Sequence, residues 1–418
     1  MEEPPLVIDN GSYEIKFGPS TNKAPFRALN ALAKDKYGTY HLSNQSRSIK
    51  DISSVTFRRP HELGQLTSWE LESQIWDYCL YNPDEFDGWC VETTKGQHLI
   101  ASETCMTIPE LSKNMDQVIF EEYEFGSLFK APVATYIPFN WDDPETTVLS
   151  AKGDDDVAIE KQQEAEYNNF QLVIDSGFNC TWVIPVIKGI PYYKAVKRLD
   201  NGGRFLNGLL KETLSFRHYN VMDESILVNN IKEKCLFMSP NSYFDSFQNR
   251  EKTAKEYVLP DFQTSFQGYL RKPGQVLPEN SQTILLQDEL FSVPETFFHP
   301  EIASLLNPGI VETILESISM LPEAFRPLMV GNIAVTGGNF NIPNFATRLA
   351  TELQRQCPTD WSCRITVPTQ DASLFGWRSM QKFSTTQAYP AARVTREEYY
   401  EHGVDWCTKN RFGYQKWL

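Results

Sequence analysis

Two short apolar runs in this chain end in the same way, with an aspartate followed by a turn of small residues. Leu6-Val7-Ile8 precedes Asp9, and Leu172-Val173-Ile174 precedes Asp175. A second strand-like run follows each turn, so the pattern predicts two β-hairpins, one in each half of the chain. A repeat at this spacing indicates two similar half-molecules with a cleft between them.

The two turns carry residue types that suit a phosphate group. Gly11 and Gly177 let backbone N–H groups approach a phosphate closely, and the Ser12 hydroxyl adds a donor. Asp9 and Asp175 would repel a polyphosphate by themselves, but they suit the water shell of a divalent cation. Either turn alone is more often an ordinary hairpin turn. The duplication, with both aspartates in register, favours a shared ligand.

A third segment adds to this prediction. Residues 331–336 predict a strand that enters the Gly337-Gly338 turn, and a helix is predicted from Ile342 toward Gln356. Glycine after a strand permits a close approach of the backbone to a ligand, and a helix N-terminus favours negative charge. Lys16, on the second strand of the first hairpin, is a candidate counter-charge for phosphate.

Composition narrows the functional classes. The 418 residues allow two or more domains with sizeable cores. The eight cysteines form no Cys-x-x-Cys pair and there are only six histidines, so neither a zinc site nor a disulfide framework is expected. No run approaches the length of a membrane span, and neither a membrane segment nor a signal peptide is expected.

The net charge of −15 bears on possible partners. It argues against free-standing DNA binding, which depends on Lys and Arg neutralising phosphates. It is compatible with a basic partner such as a histone or with solubility alone, and solubility is the preferred explanation. Residues 144–169 are rich in Asp and Glu and predict a solvated loop.

The three glycine-containing segments resemble, in order, the phosphate 1, phosphate 2 and adenosine motifs of the actin family. Further actin-like phrases lie at residues 60–64, 199–204, 231–234, 291–300 and 394–399. The resemblance therefore covers nearly the whole chain, with several independent motifs in the expected order.

This resemblance implies an α/β, actin-like ATPase fold, in which duplicated ribonuclease-H-like lobes form four subdomains around a nucleotide cleft. The predicted boundaries are residues 1–30, 60–141 and 372–418 for subdomain 1, 31–59 for subdomain 2, 171–201 and 287–371 for subdomain 3, and 202–286 for subdomain 4, with 142–170 as an acidic inserted loop.

The resemblance also implies a set of nucleotide-binding residues. ATP is expected as a structural ligand, with Mg or Ca held through water by Asp9 and Asp175. Because Tyr13 and Phe178 add bulk beside the two turns, an empty cleft is the alternative. The implied residues are Asp9, Gly11, Ser12, Tyr13, Lys16, Asp175, Gly177, Phe178, Gly203, Lys232, Glu233, Gly337, Gly338 and Asn339.

The chain departs from actin where actin positions water. The catalytic glutamine should follow the helix that begins near Gln117, which places it at Val133, directly after a proline, Pro132, that would distort the helix. Phe178 and Trp182 stand where actin has a carboxylate and a histidine. Each such group commonly contributes about 10²–10⁴ in rate. The chain is therefore predicted to bind ATP without appreciable hydrolysis, and not to be an enzyme.

Residues 5–16, 57–60, 172–182 and 411–418 resemble the nuclear actin-related proteins in particular. This implies a nuclear, non-catalytic subunit of a Swr-type, ATP-dependent chromatin remodeller, which exchanges nucleosomal histone 2A for its Z variant. The implied partners are a HIT-zinc-finger subunit, the motor ATPase, and the nucleosome or its histones. Neither a membrane nor a filament is expected.

Two other functional classes stay open. One is a polymerising, cytoskeletal actin-like ATPase, and the other is an enzyme of the wider sugar-kinase and chaperone-ATPase superfamily. The aromatic residues near the C-terminus suit a partner anchor, but they could equally fold back onto the molecule's own surface. These residues are Trp406, Phe412, Tyr414 and Trp417.

Overall fold

The computed structural model describes residues 4–150, 168–263, 265–278 and 281–410. Three of the C-terminal aromatic residues, Phe412, Tyr414 and Trp417, and most of the predicted acidic loop lie outside the described residues. Within those ranges the chain alternates strands and helices, as the predicted α/β class requires.

The strands are, in chain order, β1 Leu6–Asn10, β2 Glu14–Pro19, β3 Phe26–Leu29, β4 Leu32–Lys34, β5 Tyr40–Leu42, β6 Thr56–Arg58, β7 His61–Glu62, β8 Gln65–Leu66, β9 His98–Glu103, β10 Ser127–Pro132, β11 Thr146–Ser150, β12 Phe170–Ser176, β13 Thr181–Ile187, β14 Ile190–Pro191, β15 Lys197–Leu199, β16 Lys255–Val258, β17 Tyr269–Leu270, β18 Thr283–Leu286, β19 Ile333–Thr336, β20 Arg364–Pro368 and β21 Val394–Thr395.

The helices are α1 Trp69–Tyr81, α2 Pro109–Gln117, α3 Val133–Tyr136, α4 Gly203–Arg217, α5 Ser225–Cys235, α6 Tyr243–Gln248, α7 Arg250–Thr253, α8 Glu289–Glu295, α9 Ile310–Ser319, α10 Arg326–Val330, α11 Phe345–Gln356, α12 Phe375–Ser384, α13 Ala388–Ala392, α14 Arg396–His402 and α15 Val404–Asn410. Within the described residues, no helix combines the length and the hydrophobicity needed to cross a bilayer.

Two large sheets repeat the same topology. The first has the order β21-β10-β9-β1-β2-β3, and the second runs β11-β20-β19-β12-β13-β14, with β15 also pairing with β13. In each sheet an antiparallel hairpin, β1–β2 or β12–β13, is followed outward by two parallel strands and an antiparallel edge strand. The predicted duplication of the lobes is therefore present in the topology as well as in the sequence.

The repeated hairpins place their aspartates at equivalent positions. Asp9 lies opposite Lys16 in the first hairpin, and Asp175 lies opposite Trp182 in the second. The strands leading to both aspartates are buried, with Val7 and Val173 fully excluded from solvent. Burial of the apolar run fixes the register, because a slip of one residue would turn the apolar side chains to the wrong face.

Each lobe also carries a small antiparallel sheet. The order is β5-β4-β6 within residues 31–59 and β17-β16-β18 within residues 202–286. These are the ranges predicted for the two small subdomains, whose boundaries themselves stay predictions.

Three local expectations are wrong. The helix expected to begin near Gln117 ends there as α2, and a π-helical turn follows at Val118–Glu122. Pro132 does not distort a helix, because it ends β10 and precedes the first residue of α3, where its missing N–H breaks no helical hydrogen bond. Part of the expected 142–170 loop is strand β11, whose Thr and Val residues pair with β20.

Candidate functional site

A cavity of about 460 Å³ lies between the two repeated hairpins. Its volume is within the range of pockets that bind small molecules and cofactors. The structure brings together at this cavity all the residues that the sequence analysis assigns to a nucleotide: Asp9, Gly11, Ser12, Tyr13, Lys16, Asp175, Gly177, Phe178, Gly203, Lys232, Glu233, Gly337, Gly338 and Asn339. Their role in nucleotide binding stays a prediction.

In the first hairpin, Lys16 is paired with Asp9. The Lys16 Nζ lies 3.1 Å from Asp9 Oδ2, and the Ser102 hydroxyl donates to Asp9 Oδ1 at 2.9 Å. Burial opposes the charge on Lys16, but Asp9 and Glu14 outweigh it and raise the pKa of Lys16. Lys16 is therefore charged and already engaged, so it is a weaker counter-charge for phosphate than its position in the sequence suggests.

In the second hairpin, Asp175 lies opposite a tryptophan rather than a lysine. Burial, and then repulsion by Asp9, raises the pKa of Asp175 to about 7, with Lys16 acting in the opposite direction. Asp9 therefore opposes the ionisation of Asp175 across the cavity. A hydrated divalent cation between them would relieve this repulsion.

The third segment is held against the second hairpin. The Asn339 side-chain amide donates to the Gly177 carbonyl oxygen at 2.7 Å and to Ser176 Oγ at 3.0 Å. Gly337 has a φ of 99°, and a Cβ there would overlap the Ser176 backbone carbonyl. Only glycine allows this approach, so Gly337 is a structural requirement of the site.

One contact between the lobes that the sequence did not predict involves Arg59. The Arg59 guanidinium packs against two aromatic rings, 4.8 Å from the Tyr13 centroid and 4.7 Å from the Phe178 centroid. The two rings are also in contact, with centroids 5.1 Å apart. We call Tyr13, Arg59 and Phe178 the aromatic clamp. Since Tyr13 and Phe178 follow the two repeated turns, the clamp joins the two lobes beside the cavity.

Backbone contacts hold the clamp in place. Arg59 Nη1 donates to the carbonyl oxygens of Ser12, Tyr13 and Asn30 at 3.0–3.2 Å. Burial lowers the pKa of Arg59 to about 10, so the guanidinium stays charged at neutral pH. No local sequence pattern identifies Arg59, because its contacts come from two hairpins that are far apart in the chain.

A hydrogen bond between lobes completes the clamp. The Asn229 side chain, on α5, donates to the Tyr13 hydroxyl at 3.0 Å and to Glu233 Oε1 at 2.8 Å. Burial, with a further contribution from Glu233, raises the pKa of Tyr13 to about 12, so the hydroxyl stays protonated. The predicted bulk of Tyr13 and Phe178 is thus a specific contact between lobes.

Lys232 provides a buried cation that lines the cavity near Phe178. Its Nζ lies 3.4 Å from the Gly203 carbonyl oxygen, and burial lowers its pKa to about 8. A Cβ on Gly203 would lie 3.3 Å from this Nζ and 3.3 Å from the Phe178 ring. Gly203 therefore leaves room for both side chains. Within the described residues no ion pair involves Lys232, so its charge is available to an anionic ligand.

The two expected catalytic positions also line the cavity. Val133 packs so closely that a Cβ on Gly376 would lie 2.7 Å from Val133 Cγ1. Trp182 is buried, with the Arg198 guanidinium 5.5 Å from its ring. Valine cannot orient a water molecule, and the Trp indole only donates a hydrogen bond. Neither residue can accept a proton from an attacking water.

The cavity residues fit a nucleotide with its cation better than a protein-only metal site. Asp9 and Asp175 supply two carboxylates, and the described residues contain no cluster of three or more His, Cys, Asp or Glu with metal-site geometry. A cation here would need further ligands from water or phosphate, which Mg²⁺ commonly accepts.

The C-terminal aromatic residues are described only in part. Trp406 is half-buried, packs against the core of the first lobe and lies 4.4 Å from the His402 ring. For Trp406, packing on the molecule's own surface is therefore what the structure shows.

Comparison with known proteins agrees with the topology. The family model for actin matches residues 1–412. The chain is 68% identical to Actin-like protein ARP6 of Saccharomyces cerevisiae, with 100% of both chains covered. It is 66% identical to Actin-like protein ARP6 of Eremothecium gossypii, covering 99% of both, and 64% identical to that of Kluyveromyces lactis, covering 100% of both. The predicted resemblance is confirmed, and the chain belongs to the actin family.

Proposed function

We propose that this protein is a non-catalytic, architectural subunit of a Swr-type remodeller, which exchanges nucleosomal histone 2A for its Z variant in the nucleus. It links a HIT-zinc-finger subunit, the motor ATPase and the nucleosome, and it holds ATP with Mg or Ca as a structural ligand. The observation that carries the non-catalytic part is the pair Val133 and Trp182, which line the cavity where water would have to be activated.

The proposal for ATP rests on the charges of the cavity. Lys232 offers a buried cation, and Asp9 and Asp175 offer a place for a hydrated divalent cation. A ligand bound only to the folded state stabilises that state, by about 2.7 kcal/mol at a hundredfold excess over the dissociation constant. Bound nucleotide would thus hold the lobes together without turnover.

The first experiment measures nucleotide content and turnover. The purified protein is denatured, released ATP and ADP are quantified, and phosphate release by the native protein is followed. Retained ATP without turnover is the expected result. A sustained ATPase activity that copurifies with the wild-type chain would refute the non-catalytic assignment. If no ATP or ADP is released on denaturation, the proposal of structural ATP is refuted.

The assembly is tested separately. The chain is coexpressed with the HIT-zinc-finger subunit and the motor ATPase, and copurification is measured. Failure to copurify with either would overturn the proposed assembly, whatever the nucleotide result. A sedimentation test in salt and ATP addresses the alternative of a cytoskeletal actin-like protein, because a pellet of filaments would replace the scaffold proposal.

A further inference from the structure

The small sheet of the first lobe has a charge opposite to that of the whole chain. Residues 31–59 contain six Lys and Arg but only two Asp, a net charge of +4, whereas the whole chain carries −15. This small subdomain is therefore a local patch of positive charge on an acidic protein.

Both aspartates of this region are used internally. Asp35 accepts hydrogen bonds from the backbone N–H groups of Tyr37 and Thr39 and lies 3.0 Å from His41 Nε2. Asp51 pairs with Lys36 and accepts from the Ser53 hydroxyl. The aspartates therefore do not neutralise the remaining cations.

The remaining cations point outward. Lys34, Arg47, Lys50 and Arg58 are all exposed, and within the described residues none of them forms an ion pair. Arg59, by contrast, is directed into the aromatic clamp. The surface thus offers four cations that are free to meet an anionic partner.

Strand pairing places part of this surface on one face of the small sheet. Lys34 lies opposite both Tyr40 and Thr56 across the small sheet, and Leu32 lies opposite Arg58. Paired residues and residues two apart share a face, so Lys34, Tyr40 and Arg58 lie on the same face. The opposite face carries Ala33, which is fully buried.

Two exposed tyrosines are interleaved with the lysines. Tyr40 is 62% exposed and Tyr37, in the β4–β5 turn, is 78% exposed. The Lys34 Nζ lies 5.5 Å from the Tyr40 ring and the Lys36 Nζ lies 5.1 Å from the Tyr37 ring. We call Lys34, Lys36, Tyr37, Tyr40, Arg47, Lys50 and Arg58 the basic face.

We propose that the basic face binds the phosphate backbone of DNA. Exposed Lys and Arg neutralise phosphates, and Tyr hydroxyl groups donate to phosphate oxygens without reading the sequence. An acidic peptide would also meet the cations, but the exposed tyrosine rings beside lysines add a surface on which unpaired bases of DNA can stack. The inference deepens the proposed function. It rests on that function only in taking the nucleosome as the source of the DNA.

The test measures binding of the full-length chain to a short fluorescein-labelled DNA, as duplex and as single strand, by fluorescence anisotropy. Four neutralised phosphates give an expected slope of about −3.6 for the logarithm of the duplex affinity against the logarithm of the salt concentration between about 50 and 200 mM. Binding to the duplex, to the single strand or to both supports the proposal, because both forms present the phosphate backbone, and the comparison shows which form the face prefers.

The variant and its control carry the same change in charge. The double substitution Lys34→Glu with Arg58→Glu should lower the affinity for DNA at least tenfold at about 50 mM salt. It should also make the salt slope shallower by the amount expected for the loss of about two phosphate contacts. The control, Lys194→Glu with Lys272→Glu, alters two exposed lysines elsewhere and should stay within about twofold of wild type.

Three results would overturn the proposal: no binding of wild type to either DNA at low salt, equal losses in the two double variants, or tighter binding to labelled poly-glutamate than to DNA. Thermal unfolding of both variants guards against a folding defect. Copurification with the zinc-finger subunit and the motor is measured in parallel. A basic-face variant that still assembles but loses DNA separates this inference from the proposed assembly.

Discussion

The aromatic clamp should contribute measurably to stability, and Arg59→Met tests this. Methionine keeps a long apolar side chain but removes the guanidinium, its hydrogen bonds to the carbonyl oxygens of Ser12, Tyr13 and Asn30, and its contacts with two rings. The neighbouring Arg58→Met is a matched control, because Arg58 is exposed and forms no ion pair within the described residues.

The expected loss follows from these contacts. A single Nη1 has two hydrogens, so the three carbonyl contacts count as about two full bonds. A hydrogen bond to a charged group contributes about 1.5–3 kcal/mol net, and each cation–π contact about 0.5–1 kcal/mol at a partly exposed site. Water can reach part of this site and Met recovers some packing, so we expect Arg59→Met to lower the free energy of unfolding by about 2–4 kcal/mol.

The assay compares urea and thermal unfolding of wild type, Arg59→Met, Arg58→Met and Arg59→Lys, followed by tryptophan fluorescence. Two-state unfolding is not the rule for a chain of this size with two lobes, so the expected loss is measured as a drop in the unfolding midpoint at one scan rate. Lysine restores the charge but not the planar group, and should recover only part of the loss. Equal midpoints for Arg59→Met and Arg58→Met, or full rescue by lysine, would refute the role assigned to the clamp.

The remaining predictions use matched pairs from the cavity. Gly337→Ala should destabilise the protein by more than about 2 kcal/mol, because the new Cβ overlaps the Ser176 carbonyl at a φ of 99°, whereas a Cβ at Gly338 meets nothing within 4 Å and Gly338→Ala should be nearly neutral in thermal unfolding. Asp175 has a pKa raised to about 7 in the folded state. The unfolded carboxyl, with its ordinary pKa near 4, therefore loses its proton first, and stability should fall as pH rises from about 4 to about 7. Asp175→Asn should remove that fall, so that its thermal midpoint exceeds that of wild type at pH 8 but not at pH 4. Asp84→Asn, at an exposed site, should leave the fall in stability unchanged. Lys232→Met should reduce nucleotide binding at least tenfold by calorimetry, whereas Lys234→Met, exposed on the same helix, should leave it within about twofold. Because burial lowers the pKa of Lys232 to about 8, affinity should also fall as pH rises through 8, and a flat profile would contradict the assignment.

The basic face shows how much of the charge distribution could be predicted from the sequence. The overall charge of −15 led to an expectation against free-standing DNA binding. The positive residues at 34–58 were visible in the sequence, but their common face depends on the pairing of β4 with β5 and β6. Whether Asp35 and Asp51 neutralise them was also decided only by side-chain contacts.

The sequence by itself determined the duplicated architecture and the cavity walls. A buried apolar strand that ends in a carboxylate and a glycine turn is a local pattern, so Asp9 and Asp175 could be identified from it, and Gly337 could be identified from an apolar strand that enters a pair of glycines. The absence of water-activating side chains at Val133 and Trp182 followed from the resemblance to actin in the same way. Local patterns of this kind predict the structure correctly because burial of the apolar strand fixes its register in the sheet.

Tertiary structure alone decided how the charges are shared. Lys16 is engaged by Asp9, Lys232 forms no ion pair within the described residues, and Arg59 packs against rings from two hairpins. The same holds for Pro132, which the sequence placed in a helix and the structure places at the end of β10. The physical reason is that pairing, burial and stacking depend on distances between residues far apart in the chain, which no local pattern contains.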